Sequence, residues 1–296
     1  MNYNNSHFKS LLQEPIVKLI EIFRNVVIEK SPIKNSNYIR NQKYSLDDYI
    51  IGIIDVLRYN HSWNSYSGII NGNTLRKKHY EWVKLNIYEE VYKRSLNKYL
   101  KVIPKTEEFK YQAIDSTFIR DNNGSKESGY SGIYKERKGE SSKGIKITSI
   151  VTTSGIPLST NIVSANKHDC TVFPKVINNM VVECNTYKYH NHNRYKQYFI
   201  GDPAYDTKDI AKILKKKGYT QVIKQNPRRI KKKRLLRPFN ESQKTIYRKR
   251  MIIENYHSWL KRFIKIKSLN ERLIENYMGL LYLGISIIIN RRIISH

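Results

Sequence analysis

In the first third of the chain, apolar residues recur three and four positions apart, the spacing that gathers them on one helix face. The stretch EPIVKLIEIFRNVVIEK predicts a helix, with Pro15 tolerated in its first turn. YSLDDYIIGIIDVLRYN (44–60) predicts a second, with Ser45 as N-cap and acids in the first turn. A turn-like HSWNSYSGIINGN follows. TLRKKHYEWVKLNIYEEVYKRSLNKYL then predicts a long helix that is basic at its start, where Arg76, Lys77, Lys78 and His79 stand together. Helix, turn and basic helix is the order of a helix-turn-helix DNA reader; a helical bundle with a basic face gives the same pattern.

Beyond residue 108 the pattern shortens. KYQAIDSTFIR predicts a strand. GIKITSIVTTSGIPLSTNIVSA predicts a hairpin whose two β-branched runs are broken by Ser154-Gly155. TVFPKVINNMVV predicts a helix despite Pro174, QYFIGDPAYD a short strand, TKDIAKILKKKGY a helix closed by Gly218, and TQVIK a last strand. This order predicts an α/β fold with a mixed sheet, preceded by helices. The apolar run YMGLLYLGISIII (Tyr277–Ile289) is shorter than the ~20 residues of a membrane span and predicts a buried C-terminal helix.

Charge narrows the choice of partner. Lys and Arg number 54 against 25 Asp and Glu, a formal net charge of +29. Such an excess points to a polyanion, nucleic acid first. A membrane-surface anchor would gather the bases on one amphipathic helix, and here they are spread through many segments. The only cysteines, Cys170 and Cys184, form no framework and suit a reducing compartment. His190 and His192, downstream of Cys184, match no standard zinc spacing. The N-terminus lacks a secretory pattern, so the protein is expected in the cytoplasm or wherever the genome resides. NPRRIKKKRLLRP, with Arg228 and Arg229, reads either as a mobile charged loop or localisation signal, or as a loop that tracks phosphates; its place just before the next helix favours the second.

That helix reads YRKRMIIENYHSWLK. At about 100° per residue, Arg250, Glu254 and Lys261 fall at about −60°, −20° and −40° from Tyr247, one narrow stripe. Ile253, Tyr256, Trp259, Leu260 and Phe263 take the opposite side. A solvated face would carry the same charge pairs. Two more acids weigh against that reading. Asp115 lies mid-strand, where a carboxylate is costly unless paired or metal-bound, and Asp202 follows an apolar run at a strand end, where open sheets place ligand sites. Asp115, Asp202 and Glu254 together suggest a shared Mg²⁺ (or Mn²⁺) site of one or two ions.

These pieces resemble the DDE transposases of bacterial-type insertion sequences, in the group with the pattern Tyr-x2-Arg-x3-Glu-x6-Lys. The match rests on Tyr247, Arg250, Glu254 and Lys261, on AIDST around the first acid, on GIPLSTNIVSANKHD after the hairpin turn, and on IGDPAYD around the second acid. The resemblance implies an RNase H-like catalytic core (109–270) behind a helical DNA-binding region (1–108), with a C-terminal helix (271–296) packing on the core. It implies Asp115 bridging two metal ions, Asp202 on one and Glu254 on the other, with Tyr247, Arg250 and Lys261 holding transposon-end DNA. It further implies double-stranded DNA as substrate, a homodimer or larger assembly on that DNA, metal-dependent strand cleavage and transfer, and no membrane. His168-Asp169 matches a family position, for which a loop-ordering role is expected. Pro203 departs from the family, where a charged residue is frequent. A domesticated descendant that binds DNA without cutting it, and a basic nucleic-acid-packaging protein, are the competing readings; the intact acids weigh against the latter.

Overall fold

The computed structural model describes residues 14–31, 43–59, 61–135, 141–182, 196–229 and 236–294. Cys184, His190, His192 and most of the basic run (230–235) lie outside them. Two compact units emerge: Met1–Ile103 with Asp121–Lys126 and Trp259–His296, and Pro104–Arg120 with Glu127–Ser258.

The first unit is helical. Its core is written by the expected periodicity: α1 (Glu14–Lys30) buries Ile16, Leu19, Ile20, Phe23, Val26 and Val27 on one face. In α2 (Leu46–Tyr59) the Ser45 cap is realised in full. Ser45 Oγ accepts from the Asp48 N–H (3.1 Å), and the Asp48 carboxylate accepts from the Ser45 N–H (3.0 Å). The long basic helix divides into α3 (Gly72–Lys84) and α4 (Ile87–Val102). Asn86 breaks it with φ +52°, a left-handed conformation that Asn tolerates better than most residues. The segment between α2 and α3 is also longer than the 3–4-residue turn of a helix-turn-helix.

The helix α9 (Ile274–Ile294) is 21 residues long, longer than the apolar run suggested. It is long and apolar enough to span a bilayer, but 67% of its most apolar window is buried inside the protein. It is buried on nearly all sides and packs on α4 and α1, so the last helix completes the N-terminal bundle. Asn290 near its end donates to Ser95 Oγ of α4 (2.9 Å), fixing the rotation of one helix on the other.

The second unit is built on a mixed sheet. The strands are β1 (Tyr111–Asp121), β2 (Gly129–Lys135), β3 (Ser141–Val151), β4 (Pro157–Ser164), β5 (Tyr198–Gly201) and β6 (Thr220–Ile223). β1 pairs antiparallel with β3 and parallel with β5. β4 continues beyond β3, β6 beyond β5, and β2 pairs with the start of β3. This is the RNase H-like arrangement, an α/β fold as expected. The hairpin forms at the expected turn, where Gly155 takes φ +78°. Glu108, from a short helical turn (Lys105–Glu108), accepts from the hydroxyls of Thr152 and Ser154 and pins that turn. The flanking helices are α5 (Asp169–Asn178) and α6 (Lys208–Lys216). α6 ends as its sequence predicts: Gly218 and Tyr219 N–H groups donate back to Lys215 and Leu214 carbonyls, a Schellman closure.

The expected single helix over the acid-bearing stretch is two helices, α7 (Glu241–Arg248) and α8 (Met251–Leu260). Between them Lys249, Arg250, Ile252 and Ile253 N–H groups each reach back three residues instead of four. The continuous stripe computed at 100° per residue is therefore interrupted between Tyr247 and Glu254. On α8 the apolar side is as expected, with Ile253, Tyr256 and Leu260 buried.

Candidate active site

Three separate segments of the second unit deliver the acids. Asp115 lies in the central strand β1 opposite Ser149 of β3. One of its oxygens accepts from the Ser116 N–H (2.8 Å) and the other from Arg250 Nη1 (3.3 Å). Asp202 follows β5 directly and caps the turn Pro203–Tyr205, accepting from the Ala204 N–H (2.8 Å). Pro203 occupies the first position of that turn, where no backbone donor is needed, so the departure from the family pattern leaves the carboxylate in place. Glu254, in the first turn of α8, meets Arg250 Nη2 at 2.6 Å.

Arg250 is thus a counter-ion held between Asp115 and Glu254, and its field reaches Asp202 as well. Tyr247 sits within the field of all three acids. Its ring is braced edge-on by Phe239 (5.4 Å) and lies under the Lys224 ammonium (4.6 Å).

Burial pushes the Asp115 carboxyl up to about 6; the neighbouring Asp202 and Asp169 raise it too, while the Ser116 N–H and Arg250 oppose them. Asp202 is raised by burial and then by Asp169. The Tyr247 phenol is raised, mainly by burial, and stays protonated at neutral pH. Two residues outside the expected set therefore belong here. Asp169, at the start of α5, imposes its charge on Asp115, Asp202 and the buried Tyr205. Lys146 of β3, buried, holds Asp169 (3.1 Å) and the Lys167 carbonyl (2.8 Å). This gives the His168-Asp169 pair a concrete role: Asp169 adds negative charge to the site and is itself fixed by Lys146. The sequence signal was a lysine between the β-branched Ile145 and Ile147 of a strand, which an acid would have to balance if buried.

The remaining expected residues are placed as follows. Lys261 comes just after α8 and belongs to the helical unit, where it is half-buried, its ammonium lowered by burial and then by Lys267. Arg228 is exposed within the turn Pro227–Arg229. In α3, Lys77 is exposed and Arg76 half-buried, whereas Lys78 is committed to Glu81 (2.8 Å) and to the face of Tyr49 (5.4 Å). His79 is no part of a basic surface. It is fully buried, bonded to the Tyr88 hydroxyl (2.8 Å) and the Asn276 carbonyl (3.1 Å), and burial lowers it to about 3, so it is neutral.

The transposase DDE domain matches residues 110–285, more than half of the chain. The chain belongs to that transposase family. No curated protein matches it. The match spans Asp115, Asp202 and Glu254. Among the described residues, no three of His, Cys, Asp and Glu converge as a ready ligand set. The donor chemistry nevertheless fits a divalent cation: the part-buried like charges at Asp115, Asp202 and Asp169 are balanced, among the described residues, only by side chains, Arg250 and Lys146.

Proposed function

We propose that the protein binds the ends of its own mobile element as double-stranded DNA and catalyses metal-dependent strand cleavage and strand transfer. The observation that carries this reading is the single guanidinium of Arg250 in electrostatic contact with Asp115, Asp202 and Glu254, acids from a strand, a turn and a helix. Such a meeting of distant acids in a strongly basic chain suits chemistry at a phosphodiester.

In this reading Asp115, Asp202 and Glu254 would hold Mg²⁺ or Mn²⁺. The chemistry such ions would supply is stabilisation of the attacking and leaving oxygens of the displacement. Asp115, raised to about 6 by burial among like charges, is ionised above that pH and would offer a carboxylate to the cations. Arg250, released from the carboxylates, turns its planar fork to a DNA phosphate. Tyr247, still protonated, donates a hydrogen bond to the backbone. Lys261, Arg76, Lys77, Arg228 and Arg229 supply further phosphate contacts. Lys78 contributes less, being paired already. The region 1–108 serves end binding and 109–270 the chemistry, on a dimer or larger assembly.

The test is cleavage of end-bearing DNA with and without Mg²⁺ or Mn²⁺. Asp115→Asn, Asp202→Asn and Glu254→Gln are each expected to abolish cleavage and leave end binding intact. A variant that still cleaves like the parent removes its residue from the site. End binding by the parent with no cleavage under any metal supports the domesticated, non-cutting descendant instead.

A further inference from the structure

The helical unit contains a hollow that the active-site reading does not use. It measures about 570 Å³, within the usual range of small-ligand sites. Four arginines line it, Arg58, Arg262, Arg291 and Arg292, together with Trp259 and Phe263, and no acid is among its lining residues. Arg58 ends α2, and Arg291 and Arg292 lie in the last turn of α9. Helix C-termini favour basic residues. That preference explains three arginines singly; it does not explain why two such ends and a fourth arginine surround one cavity.

Two details concern the Arg58 guanidinium at the cavity wall. The Arg58 Nη2 is buried and has no hydrogen-bond partner among the described residues. A buried guanidinium nitrogen without an acceptor is costly. Burial, followed by the like charge of Arg291, lowers the Arg58 guanidinium, while Tyr59 and Asp55 act the other way. The third detail concerns shape. Arg292 lies over the face of Trp259 at 4.6 Å. That stacking fixes a planar fork at an aromatic wall, an arrangement suited to a phosphate beside a flat ring.

We propose that this cavity is a nucleotide-phosphate site: Arg58, Arg291 and Arg292 take the phosphate, and Trp259 with Phe263 takes the base. The chemistry is shared by an unpaired nucleotide within a DNA strand and by a free 5′-mononucleotide. It is independent of the cleavage reading, because no acid of the active site takes part.

The experiment is equilibrium binding to the full chain, followed by tryptophan fluorescence and calorimetry. Trp63 and Trp82 are buried, so Trp259 is the indole open to quenching. The probes are inorganic phosphate, a 5′-mononucleotide, the matching nucleoside and a short oligothymidylate. The mononucleotide is expected to bind and quench, and the nucleoside to bind at least tenfold more weakly. Arg58→Gln is expected to weaken the mononucleotide at least tenfold with the helical content unchanged. Trp259→Leu is expected to weaken the mononucleotide and leave phosphate binding unchanged. If oligothymidylate displaces the mononucleotide and binds tighter, the physiological source is a DNA strand; if it does not compete, the source is a free nucleotide. Equal binding of nucleoside and mononucleotide, or an unchanged affinity in a folded Arg58→Gln chain, overturns the proposal. Glu254→Gln should bind the mononucleotide like the parent; loss of cleavage in that variant therefore leaves this test unaffected.

Discussion

Replacing Asp115 with asparagine removes a charge that the fold holds at a cost. Lifting the carboxyl from 3.8 to about 6 corresponds to about 3 kcal/mol in favour of its protonated, folded form. The sign follows from proton counting. Between the two values the folded chain holds a proton that the unfolded chain has released, so stability falls as pH rises through that window and the full penalty stands by pH 8. Asparagine has the shape of the neutral acid and never ionises. It forfeits the Arg250 contact at 3.3 Å, but Arg250 keeps Glu254 at 2.6 Å. A net gain of about 1–3 kcal/mol at pH 8 remains, which for a domain of this size raises the unfolding midpoint by about 3–10 °C. The assay is thermal or urea unfolding of parent and variant in a chelating buffer at pH 4.5 and pH 8. The difference between them should grow with pH. Magnesium should then raise the midpoint of the parent, because a ligand of the folded state alone stabilises it, and should hardly move the variant. A variant less stable than the parent at pH 8, or a difference that ignores pH, refutes the account of a penalised carboxylate.

Because Lys78 is tied to Glu81, changing Arg76, Lys77 and Lys78 together to Ala should reduce the salt slope of DNA binding by about two phosphates, not three; a titration of affinity against salt decides this. His79, neutral and held near 3 by burial, should cost stability as pH falls below 6.5, since only the unfolded chain then takes up a proton. Between pH 7.5 and 5 the loss is about 2 kcal/mol, and His79→Gln should remove that slope in denaturant unfolding. Pro203→Ala should leave cleavage unchanged and shift stability by less than about 1 kcal/mol, because the ring fills a position with no donor to lose; a strong loss of cleavage would mean that Pro203 aims Asp202.

Much of this was legible in the sequence because it is local. The Ser45 cap, the Gly155 turn and the Gly218 closure depend on neighbours a few positions away, and each formed as its residues suggest. The helix breaks at Asn86 and at Arg250 were not legible. Periodicity continues across both, and only tertiary packing selects a left-handed residue in one and three-residue hydrogen bonds in the other. β2 was missed because the two glycines of GYSGIYK dilute its β signal. At the site, the sequence marked Asp115, Asp202, Glu254 and Arg250 but could not show that Arg250 joins the acids. That contact spans 135 positions, and no local pattern encodes it. The same holds for Lys146 and Asp169, 23 positions apart on a strand and a helix.

The burial of α9 within the N-terminal bundle has a consequence for synthesis. Chains generally fold from the N-terminus as they leave the ribosome. Here α1 and α4 lack their packing partner until residues through Asn290 have been translated, whereas the sheet unit's own residues end at Ser258. The segment made first is therefore finished last. The faces of α1 and α4 that pack on α9 stay open while the rest of the message is read. A stop codon anywhere before α9 would leave them open permanently, so such a product should be cleared by proteolysis and not persist as a shorter protein.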